Sequence, residues 1–251
     1  MGKPYPIQGK KAICFDLNET LIHQGITFEH AFRSVWNDYA GRGLQGSDSN
    51  ADTIWEQYQE QWQQHRKSKS SELSFDLLQE QCLKDAIAMQ QLPVHQGFAP
   101  HFFQLVRKQR LAGKTLAPGV ETTLRALSQN YRLAIISNSP HSEVDILLER
   151  FRLKSYFSEE RIFTAHKPSE KKPGFLIFKT ALQALDLMPR QAVMVGNSWK
   201  HDICGAAKAG LDVIWLRSLQ DRGTKKISRQ KLGKRTVYHI QEISQLLELF
   251  H

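Results

Sequence analysis

The chain has 251 residues, a hydrophobic fraction of 41% and a charged fraction of 24%. That balance suits a globular protein holding one large domain, or one domain with a sizeable insertion. No apolar run approaches the roughly 20 residues needed to cross a bilayer, Met1-Gly2-Lys3-Pro4-Tyr5-Pro6 lacks a signal-peptide core, and no hydroxyl residue follows Gly2 where acylation would need one. No membrane partner is therefore expected, and the expected compartment is the cytoplasm.

The first predicted element is a strand at residues 10–16, a β-branched and aromatic run that ends on Asp16. From about 27 to 111 the period changes. Phe28, Phe32, Val35, Trp36 and Tyr39 recur at helical spacing until Gly41-Arg42-Gly43 breaks the pattern. Ile54, Trp55, Tyr58 and Trp62 predict a second helix, Leu73, Leu77, Leu78 and Leu83 a third, and Phe98, Phe102, Phe103 and Val106 a fourth. The aromatics of this block are expected in its own core, and the run 66–71 as a polar connection.

After Leu116-Ala117-Pro118-Gly119 helices and strands alternate. Helices are predicted at 119–129, 142–151, 174–186 and 201–209, and strands at 133–136, 162–163, 192–195 and 213–216. A last strand at 237–240 precedes a helix at 241–250. Strands alternating with helices of this length form right-handed crossover units, so the expected class is α/β with a doubly wound parallel sheet. The expected domains are a Rossmann-like core of residues 1–24 and 112–251 and an inserted helical bundle of 25–111, placed where it can act as a lid.

The three cysteines, Cys14, Cys82 and Cys204, form no close pair and are expected to be reduced and structural. The formal net charge of +9 points to an acidic partner. Part of the excess sits in Lys225, Lys226, Arg229, Lys231, Lys234 and Arg235, read as a solvated basic loop. No aromatic residue interrupts that cluster, so nucleic acid is not expected and a small anionic substrate is.

In a doubly wound sheet, ligands bind outside the carboxyl ends of the strands. Four groups stand there: Asp16; Ser137-Asn138-Ser139; Lys171-Lys172-Pro173; and Gly196-Asn197-Ser198 with Asp202. A carboxylate can be a nucleophile, a hydroxyl can donate to an oxyanion, an ammonium can neutralise both, and Asn197 and Asp202 offer oxygens suited to Mg²⁺. Lys172 is favoured over Lys167 and Lys171 for the ammonium because Pro173 and then Ile177-Phe178 follow it. Thr20 has a second reading as a turn cap, and Asp202 as the cap of the helix it opens. His201 and His141 are read as polar rim.

These stretches resemble four motifs of the haloacid dehalogenase superfamily, in the branch with a helical cap inserted after the first strand. They are Phe15-Asp16-Leu17-Asn18-Glu19-Thr20-Leu21, Ile135-Ile136-Ser137-Asn138-Ser139, Lys172-Pro173 with Ile177-Phe178, and Gly196-Asn197-Ser198 with Asp202. The resemblance implies that Asp16 attacks, that Ser137 with Asn138 and Thr20 bind the transferring group, and that Lys172 orients the nucleophile. It also implies Mg²⁺ held by Asp16, the carbonyl of Asn18 and Asn197, with Asp202 in support.

Two positions depart from the family pattern. Its phosphatases carry an Asp two residues after the nucleophile, as acid and base; here Asn18 can neither give nor take an acidic proton at neutral pH. The first acid of the fourth motif is Asn197, which weakens the expected hold on Mg²⁺. Three readings follow. The chain is a phosphatase-like hydrolase of a small phosphorylated metabolite, slowed by Asn18; or a metal-independent 2-haloacid dehalogenase, with Arg33 or Arg42 as substrate arginine; or an inactive anion-binding relative.

Overall fold

The computed structural model of the protein describes residues 9–43, 50–67, 74–217 and 227–250. The chain divides into two compact units, one of Met1–His23 with Thr115–His251 and one of Gln24–Lys114.

In chain order, the first unit begins with β1 (Ala12–Phe15) and β2 (Ile22–His23). The second unit holds α1 (Phe28–Gly43), α2 (Ala51–Lys67), α3 (Phe75–Met89) and α4 (Phe98–Gly113). Phe32 sits at the centre of this helical core, with ring centroids of Trp55, Tyr58 and Phe102 at 5.1, 5.1 and 4.8 Å. Trp36, Ile54, Cys82, Leu83 and Phe102 are buried around it. Burying each large side chain contributes about 1.5–3 kcal/mol, and the helical spacing of the apolar residues makes one shared core possible.

Two details differ from the periodicity. Gly41, Arg42 and Gly43 belong to α1, because glycine lowers helix stability by about 1 kcal/mol without removing the i→i−4 bond. Leu77 lies on the wet side of α3. That helix begins behind Ser74, whose hydroxyl accepts from Leu77 N–H, and Leu73 lies outside the described residues. Arg66 and Lys67 end α2, and the rest of the expected polar connection also lies outside them.

The first unit resumes with β3 (Thr115–Leu116), antiparallel to β2. It continues through α5 (Val120–Leu127), β4 (Arg132–Ser137), α6 (His141–Arg150), β5 (Ile162–Thr164), α7 (Phe175–Ala184), β6 (Ala192–Gly196), a π-helical turn over Trp199–Cys204, α8 (Gly205–Lys208), β7 (Asp212–Leu216), β8 (Ser228–Leu232), β9 (Arg235–Ile240) and α9 (Leu246–Leu249). The sheet order is β5-β4-β1-β6-β7-β9-β8, parallel except for β8. β1 lies between β4 and β6 in full register. The chain moves from β1 to β4 and β5 on one side, then returns to β6 on the other, so the order reverses beside β1. This is the doubly wound α/β arrangement, and its switch point is the carboxyl end of β1. The central strands β1, β4 and β6 are mostly apolar and buried because helices cover both faces. Ala12, Cys14, Ala134, Ile136 and Met194 meet α7 and α8 on one face, while Phe15 meets Phe157 edge to face on the other at 6.2 Å.

Three expectations are corrected. The expected helix at 201–209 is a π-helical turn followed by a single α-helical turn. The helix expected at 241–250 shrinks to a 3₁₀ turn, Ile243–Gln245, and α9. The basic loop is in its described part a hairpin: Arg229 and Lys231 lie on β8 and Arg235 on β9, while Lys225 and Lys226 lie outside the described residues. Gly233, with φ of 59°, supplies the positive φ its two-residue turn needs.

Candidate active site

Asp16 leaves the end of β1, its N–H bonded to Val195 O at 2.9 Å. The chain then turns on itself. Leu17 O accepts from the N–H groups of Leu21 and Ile22 at 2.9 and 3.0 Å, and Glu19, at φ 57°, donates to Ile22 O at 2.7 Å. Leu17, Leu21 and Ile22 are buried. Apolar anchors on the far side of this loop therefore hold Asp16 towards the crevice.

Lys172 is 3% exposed. Its ammonium donates to Asp16 Oδ1 at 2.6 Å, Asp202 Oδ1 at 2.7 Å and Ile136 O at 2.7 Å, which uses all three donors. Lys167 and Lys171 are exposed. The backbone of Lys172 is clamped by Asn138, which accepts from its N–H at 2.8 Å and donates to its carbonyl at 3.0 Å. The side chain of Asn138, expected on the substrate, thus places the lysine, and the residue also lines the cavity at the strand ends.

Asp202 is 1% exposed. One oxygen is held by Lys172, and the other accepts from Ser198 N–H at 2.9 Å. Both are engaged inside the protein, which places Asp202 to support a cation site through its neighbours. Gly196 lets it come this close: a Cβ there would stand 2.5 Å from Asp202 Cβ, Cγ and Oδ2.

Thr20, also expected on the substrate, is buried with its hydroxyl 3.4 Å from Asp16 Oδ2. It is not among the cavity-lining residues, so it acts on the carboxylate. Asn18 Nδ2 donates to Ser139 Oγ at 2.7 Å, and Ser139 N–H donates to Ser137 Oγ at 3.2 Å. Asp16, Asn18, Ser137, Lys172 and Asn197 share the walls of a cavity of about 360 Å³. Ser139, Ser198 and His201 line it too; of the three only His201 carries an expectation from sequence, as polar rim. Their signal was their place at strand exits: Ser139 two residues past β4, Ser198 and His201 in the turn after β6. Ser198 Oγ lies 3.1 Å from His201 Nδ1 and accepts from His201 N–H at 3.2 Å. His141 belongs to another groove, where it pairs with Glu159 at 2.8 Å. Arg33 pairs with Glu29 and Asp52 inside the helical unit, and the side chain of Arg42 lies outside the described residues.

Two carboxylates thus share one ammonium, for a net charge of −1. Burial pushes the Asp16 carboxyl up to about 6 from 3.8; Lys172 pulls it down and Asp202 adds to the rise. Burial alone would lower the Lys172 pKa, but the two carboxylates outweigh it and the pKa rises. Asp16 is therefore largely ionised at neutral pH, with Lys172 as a fixed counterion.

The site's chemistry fits a hard cation. Asp16 Oδ2 meets the Thr20 hydroxyl at a long 3.4 Å, and Asn197 brings an amide to the same cavity. With the carbonyl of Asn18 this makes a donor set of oxygens alone, which suits Mg²⁺ with waters or substrate completing its shell. The set carries a single carboxylate.

A carboxylate at the switch point of a doubly wound sheet, tied to a buried lysine beside a polar cavity, defines a class of hydrolase scaffold. The model of the haloacid dehalogenase-like hydrolase family matches residues 13–216, and the chain belongs to that family. It is 34% identical over 134 residues to a glyceraldehyde 3-phosphate phosphatase of Methanothermobacter thermautotrophicus, covering 53% of this chain and 57% of that one. It is 28% identical over 137 residues to a ribulose-1,5-bisphosphate 5-phosphatase of Halopiger xanaduensis, covering 54% and 56%. The chain spans about half the length of these curated relatives. A magnesium-bound HAD hydrolase of Bacillus subtilis has the same fold, with a TM-score of 0.63 at 17% identity over 96% of this chain and 99% of that one.

Proposed function

We propose that this protein is a phosphatase-type hydrolase of small phosphorylated metabolites that works through an aspartyl ester on Asp16 with Mg²⁺ as cofactor. The observation that carries the reading is the buried Asp16–Lys172–Asp202 triad opening onto a polar cavity at the switch point. The named phosphatases among its relatives support the substrate class.

In the first step a carboxylate oxygen of Asp16 attacks phosphorus and the bond to the leaving oxygen breaks. Ser137 and Ser139 stand where their hydroxyls can donate to the transferring group. Lys172 holds the carboxylate at one oxygen and offsets charge at the site. Asp16, the carbonyl of Asn18 and Asn197 would hold Mg²⁺, which when bound would supply positive charge for the transferring group. In the second step water attacks phosphorus, the bond between phosphorus and the Asp16 oxygen breaks to restore the carboxylate, and the water's proton leaves to solvent with the released phosphate. Asn18 cannot protonate the leaving oxygen or activate that water, so solvent supplies the proton and the chain favours esters whose leaving oxygens are weakly basic.

The helical unit takes the role of the substrate-selecting cap. Cys14, Cys82 and Cys204 are free, the first two buried, which supports a reducing compartment such as the cytoplasm. Among the described residues no helix is long and apolar enough to cross a membrane.

The test is a panel of phosphate esters and small 2-haloacids, run with Mg²⁺ and with chelator, on the wild type and on Asp16→Asn. Mg²⁺-dependent phosphate release that is lost in a folded Asp16→Asn supports the reading. Equal release by both proteins sinks it. Halide release that survives chelation selects the dehalogenase reading, and no release from any ester selects the inactive one.

A further inference from the structure

We propose that Trp215 is a positioning residue for the cation site: its indole N–H fixes the peptide of Asn197, and so the direction in which Asn197 offers its amide oxygen. This inference rests on the reading of Asn197 as a Mg²⁺ ligand.

Asn197 is the first residue after β6, which ends at Gly196. A residue just past a strand has lost the ladder that would orient it, and its carbonyl needs another partner. The partner here is Trp215 Nε1 on β7, at 2.8 Å. Trp215 pairs in register with Gly196, so the donor stands on the strand alongside.

The indole is itself held on several sides. Trp199, in the π-helical turn that follows Asn197, packs on it at 4.8 Å. His239 of β9 meets it edge to face at 5.2 Å. The Arg217 guanidinium lies 5.1 Å from its ring centroid. A ring fixed by two aromatic neighbours and a cation makes a rigid donor. The π-helical turn and β9 thus converge with Arg217 on the indole that holds this peptide.

The arrangement compensates for a weak ligand. An amide oxygen brings no charge to Mg²⁺, so its contribution depends more on being placed correctly than a carboxylate's does. Groups that orient metal ligands from outside commonly change metal affinity by about 10–100-fold when removed. A purely structural role would give a different result: the metal-free protein would melt earlier and its Mg²⁺ affinity would not move.

The test compares Trp215→Phe, which keeps an aromatic ring and removes the N–H, with the wild type. Mg²⁺ alone is titrated while the melting temperature is followed, so that binding is read from the ligand-linked rise without turnover. A Mg²⁺ dissociation constant raised about 10–100-fold, with phosphatase kcat recovered at saturating Mg²⁺, is the expected result. An unchanged constant in a folded Trp215→Phe overturns the role of Trp215 and leaves the proposed function standing. A wild type with no Mg²⁺-linked rise overturns the cation site and this inference with it. If Trp215→Phe does not fold, the indole ¹⁵N–H resonance of Trp215 in the wild type is followed instead, assigned through its contacts with Trp199 and His239. A shift that saturates with the Mg²⁺ constant supports the proposal, and no shift at saturation overturns it.

Discussion

Replacing Lys172 by methionine keeps the length of the side chain and deletes one charge. The ammonium is bonded to Asp16, Asp202 and Ile136 O at 2.6, 2.7 and 2.7 Å, and the two carboxylates are 8% and 1% exposed. Without it, two buried anions face each other and a carbonyl loses its donor. Removing one partner of a buried ion pair costs about 3–5 kcal/mol, because a charge is left uncompensated. That is a large share of the 5–15 kcal/mol by which a domain is stable. The protein can relieve the cost only by protonating a carboxylate, and Asp16, already raised to about 6 from 3.8, rises further once the ammonium is gone. A folded pKa above the unfolded one stabilises the fold at low pH, and that stability is lost as pH rises through the folded pKa. The deficit of Lys172→Met relative to wild type is therefore small near pH 5 and opens to about 3–5 kcal/mol above neutrality. Urea unfolding at pH 5 and pH 8, with m unchanged between the proteins, reads it directly. Equal midpoints at pH 8, or one deficit at both pH values, would refute the reasoning.

Asn18→Asp puts a carboxyl where the amide now meets Ser139 Oγ at 2.7 Å; the hydroxyl can reverse the bond, so the change fits. It is expected to raise kcat for alkyl phosphates by about 10²–10⁴-fold, the usual worth of a general acid, and an unchanged kcat counts against Asn18 as the limiting departure. Gly196→Ala places a Cβ 2.5 Å from Asp202 Cβ, Cγ and Oδ2 and is expected to cost about 1–3 kcal/mol with loss of activity. Gly41→Ala, in helix with nothing within 4 Å of the added Cβ, should instead stabilise by about 0.5–1 kcal/mol, and thermal melts of both check the contrast. Because the nucleophile must be ionised and Asp16 is raised to about 6, kcat/KM should fall below about that pH. The limb should move lower as Mg²⁺ is raised, since a cation favours the carboxylate; a limb that ignores Mg²⁺ assigns the titration to another group.

The strands, the order of the helices and the strand-end residues were legible because they follow from periodicity. Asp16 ends an apolar run, Lys172 precedes a proline and an apolar helix, and Asn197 and Asp202 flank one turn after a strand. The β8–β9 hairpin was also written locally, in Gly233 at a two-residue turn, but strand residues rich in Arg and Lys masked it. What each side chain does was decided by contacts across long stretches of sequence. Asn138 and Thr20 both looked like substrate ligands; the fold keeps Asn138 in the cavity wall but turns its side chain to the Lys172 backbone, and it buries Thr20 behind Asp16. No local pattern reports such pairings, since a side chain's free hydrogen bonds depend on what the fold brings beside it. Trp215 is the clearest case. Its sequence neighbours mark it only as part of an apolar strand, and the pairing of β6 with β7 alone brings its N–H to Asn197. Chemical types and their places at strand ends are therefore properties of this sequence by itself. The division of those residues between acting groups and the groups that hold them arises only when the sheet closes around Asp16.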